Sequence, residues 1–192
     1  MFETIIIILF LLYIYIYKLY NSNDVIYVLL DNKNKYLVRN LPDKKLAGET
    51  LDKIKDNLIL LINDILKNDI KDNKYYNYVK IINDKLKTVK IRESTNDNSF
   101  TSYTVNKGEE MVFCIRSKKD NKIHDINELM YVAIHEIAHI GCPEIGHTDL
   151  FKKINYYLLD YGKDIKIYNY IDYSNKPIEY CGLTLNNNLL KK

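Results

Sequence analysis

The sequence predicts an α+β fold, a small mixed sheet packed with amphipathic helices, preceded by one N-terminal transmembrane helix. Three observations predict it. An unbroken apolar run opens the chain, short strand-like segments then interleave with longer helical periodicities, and a strongly apolar helix near residue 135 carries ionisable side chains at regular spacing. With 192 residues, 47% of them hydrophobic, the chain can bury one sizeable core but not comfortably two.

Residues Ile5 to Tyr17 read IIIILFLLYIYIY and close on Lys18. With Leu19 and Tyr20 the run approaches the ~17 residues that span a bilayer, and its tyrosines cluster where amphipathic rings prefer the membrane interface. A cleaved signal peptide would need a basic start and small residues at a cleavage site, whereas the chain begins Met-Phe-Glu-Thr with no A-x-A after the run. A buried core helix is the other alternative. Glu3 precedes the run while Lys18, Lys33, Lys35 and Arg39 follow it, so the positive-inside rule places a single-pass protein's remaining bulk on the cytoplasmic face.

After a polar link from Asn21 to Asp24, Val25 to Leu30 and Tyr36 to Val38 form a strand pair around an Asn/Lys/Asp turn. Leu51, Ile54, Leu58, Leu61, Ile62 and Ile65 recur at helical spacing between Glu49 and Lys67, and Tyr75, Tyr78, Val79, Ile82 and Leu86 between Lys74 and Leu86. Val89 to Ile91 is a strand and Glu93 to Ser99 a loop. Tyr103 to Val105 and Met111 to Arg116 are strands joined at Asn106-Lys107-Gly108. Asp125 caps a helix that Gly141 and Pro143 stop, another runs from Asp149 to Tyr161, and Ile178 to Leu185 is the last ordered piece.

The formal net charge of +3 implies no strong electrostatic partner, and only Arg39, Arg92 and Arg116 are arginines, so nucleic-acid binding is not evident. Three cysteines, Cys114, Cys142 and Cys181, make no disulfide framework and no CxxC zinc site, which points to a reducing compartment. Cys114 reads as core, Cys142 as a small loop residue and His124 as exposed in a polar turn.

Chemistry concentrates in HEIAHIGCPEIGH, residues 135–147. His135 and His139 lie four apart on one helical face, where both imidazoles can share one metal ion. Catalytic zinc sites pair three protein ligands with a water, and Glu136 stands where a carboxylate can take that water's proton and deliver it to a leaving amine. Two histidines and a glutamate in so apolar a helix are costly to bury without partners, which a metal supplies. For the third ligand His147 is favoured, because the break at Gly141, Cys142, Pro143 and Gly146 lets the chain turn back; Glu144, Asp149 and Glu179 are the alternatives.

On these residues, HEIAHIGCPEIGHTDLF resembles the motif of the WLM-type zinc metallopeptidases, relatives of the SprT-like proteases among the zincins. The resemblance implies a zincin-like domain, Zn2+ on His135, His139 and His147, Glu136 as catalytic base, and Phe151 as a nearby aromatic. It implies that EMVFCIR is the edge strand beside the cleft, positioned to pair with an extended protein or peptide substrate. The stretch from Thr101 to Leu185, with IEYCGLTL, is also similar to metallopeptidase-like proteins of large DNA viruses that carry an N-terminal hydrophobic anchor. The family's gap between second and third histidines is usually shorter than here. Members are linked to proteolysis of proteins crosslinked to DNA, an implication the scarcity of arginine does not extend.

The expected organisation is an anchor at 1–20, an N-terminal α/β part at 21–100 without a nameable resemblance, a zincin-like catalytic core at 101–185 and a polar tail at 186–192. The expected function is that of a membrane-anchored zinc metallopeptidase. The alternatives are an inactive, zinc-stabilised binding module on a membrane tether, or a zinc amidase of non-peptide substrates. Tyr180 or Tyr103 is a candidate hydrogen-bond donor to the oxyanion.

Overall fold

A computed structural model of the chain describes residues 2–21, 24–68, 73–95 and 101–186. A five-stranded mixed sheet has the order β1-β2-β3-β5-β4. β1 (Val25–Leu29) and β2 (Lys35–Arg39) form an antiparallel hairpin. The chain then crosses over through α2 (Lys44–Asn68) and α3 (Tyr76–Leu86), and β3 (Lys90–Glu93) returns parallel to β2. β4 (Tyr103–Val105) and β5 (Glu110–Phe113) are an antiparallel hairpin whose second strand runs parallel to β3.

That register corrects the edge-strand expectation. EMVFCIR supplies β5, an interior strand paired on both sides, and β4 is the sheet's edge. Met111, Val112 and Phe113 are fully buried, the continuous apolar run of a strand covered on both faces, whereas β4's residues are all half-buried. The helical periodicities hold, with α2 starting earlier than Glu49 and burying Leu51, Ile54, Leu58, Leu61, Ile62 and Ile65. Glu93, expected in a loop, ends β3 instead. Its buried carboxylate accepts from Arg116 Nε at 2.7 Å and from the backbone N–H of Arg39 at 2.8 Å. Residues 96–99 of that loop lie outside the described residues, as do 22–23 of the first link and 187–192 of the tail.

α4 (Ile126–Gly141) starts where the Asp125 carboxylate accepts from the Asn127 N–H at 2.8 Å. It is buried on nearly all sides, packed among α2, α3, α5 and β4. Its last residue must be glycine, since a Cβ on Gly141 would stand 2.8 Å from Ile82 Cδ1 and 3.1 Å from the Tyr78 carbonyl on α3. α5 (Asp149–Asp164) begins at Thr148, whose Oγ1 accepts from the Phe151 N–H at 3.3 Å. A separate antiparallel hairpin, β6 (Ile178–Tyr180) and β7 (Leu183–Leu185), ends the described fold.

The N-terminal run is helical, α1 (Phe2–Asn21). Among the described residues no helix is long and apolar enough to cross a membrane, so the expected transmembrane anchor, with its single-pass localisation, finds no support there. The cysteine expectation is corrected too. Cys114 and Cys181, 67 residues apart, form a disulfide that fastens the β6–β7 hairpin to the end of β5, while Cys142 is a buried free thiol. Sequence spacing hides this pair because only folding brings the two segments together.

Candidate metal centre

The fold opens α4 along one stripe. Among residues 129–142 all but His135 and His139 are buried, and these two face a cleft of about 880 Å³. The break after Gly141 returns the chain so that His147, directly before the Thr148 cap, meets them. His135 Nε2 lies 3.0 Å from His147 Nε2 and 3.3 Å from His139 Nε2. Among the described residues these three form the one group of His, Cys, Asp or Glu side chains close enough to share an ion. Glu144, Asp149 and Glu179 are not in it, and Glu179 instead accepts from the Gly182 N–H at 2.6 Å.

The chemistry of this donor set fits zinc. Burial, then the neighbouring imidazoles, pushes His135 down to about 3, and burial with the His147 and Lys107 charges pushes His139 down to about 4. Both rings are therefore neutral at pH 7, as ligands must be. Tetrahedral nitrogens at ~2.0–2.1 Å from one ion stand ~3.3 Å apart, close to the spacing found. Phe151 walls the cluster, stacked on His139 at 4.1 Å and edge-on to His135 at 4.9 Å.

Residues that sequence reasoning missed complete the site. Asn155 is 1% exposed, its Nδ2 stands 3.5 Å from His135 Nδ1, and its Oδ1 has no hydrogen-bond partner. With that amide turned over, Oδ1 accepts a hydrogen bond from Nδ1–H and the Nε2 lone pair is left facing the cluster, the usual support of a metal-bound histidine. Glu136 is 5% exposed, and Thr104 on the edge strand donates to its Oε2 at 3.0 Å. Burial pushes the Glu136 carboxyl up to about 7, and the Thr104 hydrogen bond pulls against that rise. Nothing local marks Thr104 or Asn155 in the sequence, since each acts across a tertiary contact.

Lys107 gathers the loop. Its ammonium, with three N–H donors, reaches the carbonyls of His139 (3.2 Å), Cys142 (2.6 Å) and Glu144 (2.7 Å), tying the unsatisfied end of α4 to the approach to His147. Replacing Lys107 by Met is expected to free this loop. Amide hydrogen exchange over residues 142–148 should quicken several-fold while α2 is unchanged, and equal exchange in both proteins would refute the clamp.

Tyr180 lines the cleft, but its hydroxyl donates to the Cys114 carbonyl at 2.8 Å and shares a 2.9 Å hydrogen bond with Ser102 Oγ. His124 is not exposed as expected. It packs on the Tyr180 ring at 5.0 Å, its Nε2 accepts from the Cys181 N–H at 3.3 Å, and its Nδ1 lies 3.3 Å from Glu128.

Over 172 residues the chain is 44% identical to the uncharacterized protein R325 of Acanthamoeba polyphaga mimivirus, covering 88% of this chain and 87% of that protein. The chain belongs to the family of this viral protein. The relationship thus extends into residues 21–100, where the motif comparison had nothing to say. The uncharacterized protein 042R of Invertebrate iridescent virus 3 is 48% identical over 60 residues, 31% of this chain and 37% of that one. No protein-family model matches the chain. Among solved structures, Wss1 from Saccharomyces cerevisiae has the same fold, with a TM-score of 0.50 and 17% identity over 67% of this chain and 87% of that one.

Proposed function

We propose that this family member is a zinc-dependent peptidase in which His135, His139 and His147 hold the metal and Glu136 is the general base. The observation that carries this reading is the convergence of three imidazoles in an open cleft, with the Nε2 atoms of His147 and His139 at 3.0 and 3.3 Å from His135 Nε2 and all three ligand atoms within 4.8 Å of one another, and a buried carboxylate on the residue next to the first of them. The fold it shares with Wss1 and the motif's resemblance to WLM-type zinc metallopeptidases support it. A bound zinc ion supplies a Lewis acid and an activated water at neutral pH.

The chain's own groups do the rest. Glu136 accepts a proton at its carboxylate and returns it to the leaving amine, and an affinity near neutrality suits both steps. Thr104 holds Oε2 in place, and Asn155 holds the His135 tautomer. The free edge of β4 can pair with an extended peptide backbone, bringing a scissile carbonyl along the α4 stripe. Tyr180 can serve an oxyanion only after leaving Ser102 and the Cys114 carbonyl.

An inactive zinc-stabilised binding module needs the ligands but not Glu136, and an amidase of non-peptide substrates would share every group named. One experiment separates the three. The purified full chain is expected to carry stoichiometric zinc and to hydrolyse denatured protein, to lose both on chelation and to regain both with zinc. His147→Ala should purify without stoichiometric metal. Zinc without hydrolysis of any amide favours the binding module, turnover of non-peptide amides alone favours the amidase, and a chain that takes up no transition metal overturns the centre altogether.

A further inference from the structure

We propose that the cleft selects polypeptide segments with aliphatic or aromatic side chains next to the scissile bond. This rests on the peptidase reading of the metal centre and adds its substrate class.

Two large aliphatic side chains stand exposed in the same cleft as the histidines. Ile145 is 90% exposed and Leu183 is 58% exposed. Single exposed aliphatics are ordinary on a protein surface. Here they come from two segments far apart in sequence and border one cavity. Both segments are anchored. Ile145 precedes Gly146, whose φ of +83° makes the turn, and sits in the loop Lys107 clamps, two residues before His147. Leu183 follows Gly182, φ +84°, in the hairpin held by the Cys114–Cys181 disulfide and the Tyr180 hydroxyl. Two aliphatic side chains are thus held in water beside the reacting centre, and a substrate's apolar side chain can desolvate them.

The cleft offers charged side chains little. Among the described residues lining it, the one carboxylate is Glu136, buried and bonded to Thr104, and the two ammonium groups are Lys107, committed to three carbonyls, and Lys152, 3.4 Å from Asp149. Tyr131, Val132, Phe151 and Leu185 extend the apolar lining. A charged side chain entering here would lose hydration, and the exposed Lys152 is the one lining charge left to meet an acidic group.

The zinc-loaded full chain, given a complex peptide mixture, should cut preferentially where aliphatic or aromatic residues flank the bond. Ile145→Asp and Leu183→Asp, each checked for unchanged zinc content, should each lower kcat/KM for an apolar-flanked peptide about tenfold, chiefly through KM. Glu136→Gln, titrated with labelled peptides, should bind the apolar-flanked one about tenfold tighter than an Asp-flanked one. Wild-type cleavage without apolar enrichment, or equal binding of the two peptides, overturns the specificity while leaving the peptidase reading in place. A wild-type chain that cuts no peptide overturns both.

Discussion

Glu136→Gln is expected to lower peptide hydrolysis by about 10²- to 10⁴-fold, the range that a positioned general acid–base contributes, while zinc stays bound in full. The contrast follows from where the atoms sit. Glu136 is no member of the imidazole cluster, so its loss leaves all three nitrogens in place. Glutamine matches the carboxylate in shape, and its amide oxygen can still accept the Thr104 hydroxyl at the 3.0 Å contact, so the buried site keeps its packing. What disappears is a basic oxygen able to hold a proton between attack and amine departure. Metal analysis beside single-turnover kinetics checks this. Should the variant and the wild type turn over equally, Glu136 is not the base.

The second large effect is on stability. Opening the Cys114–Cys181 bridge releases a loop closed over 67 residues, for which chain entropy alone predicts a cost of about 4 kcal/mol. For a domain of this size that is a fall in Tm of roughly 10 °C. The bridge also holds a local arrangement. Cys181 gives its N–H to His124, its neighbour Tyr180 bonds the Cys114 carbonyl, and Leu183 and Leu185 beyond them wall the cleft. Cys181→Ala should therefore melt roughly 10 °C below the oxidised protein, and reduced wild type should melt with it. In denaturant without reductant one thiol, Cys142, should titrate, and three after reduction. Three reactive thiols before reduction, or coincident melting curves, would show that the bridge does not form.

The site's first half could be read from residue order because it is local. An α-helix returns every 3.6 residues, so His135 and His139 share a face whatever surrounds them, and the apolar residues between them dictate that the helix is buried. Asp125 as a cap, and the turn at Asn106-Lys107-Gly108, are likewise set within a few residues. The apolar N-terminal run announced a helix, and α1 is one, but periodicity and length do not say what such a helix lies against.

What the sequence by itself determined, then, is the helix that carries the paired histidines, its start at Asp125, the buried faces of α2 and α3 and the strand segments, all governed by spacings of two to four residues. Tertiary structure alone decided which strand is the edge, that Cys114 meets Cys181, that His147 rather than Glu144, Asp149 or Glu179 joins the first two histidines, and that Thr104, Asn155 and Lys107 attend them. These depend on sheet order and on the path of loops between distant segments. A local pattern is the same in any topology that buries it, so it cannot choose among those topologies.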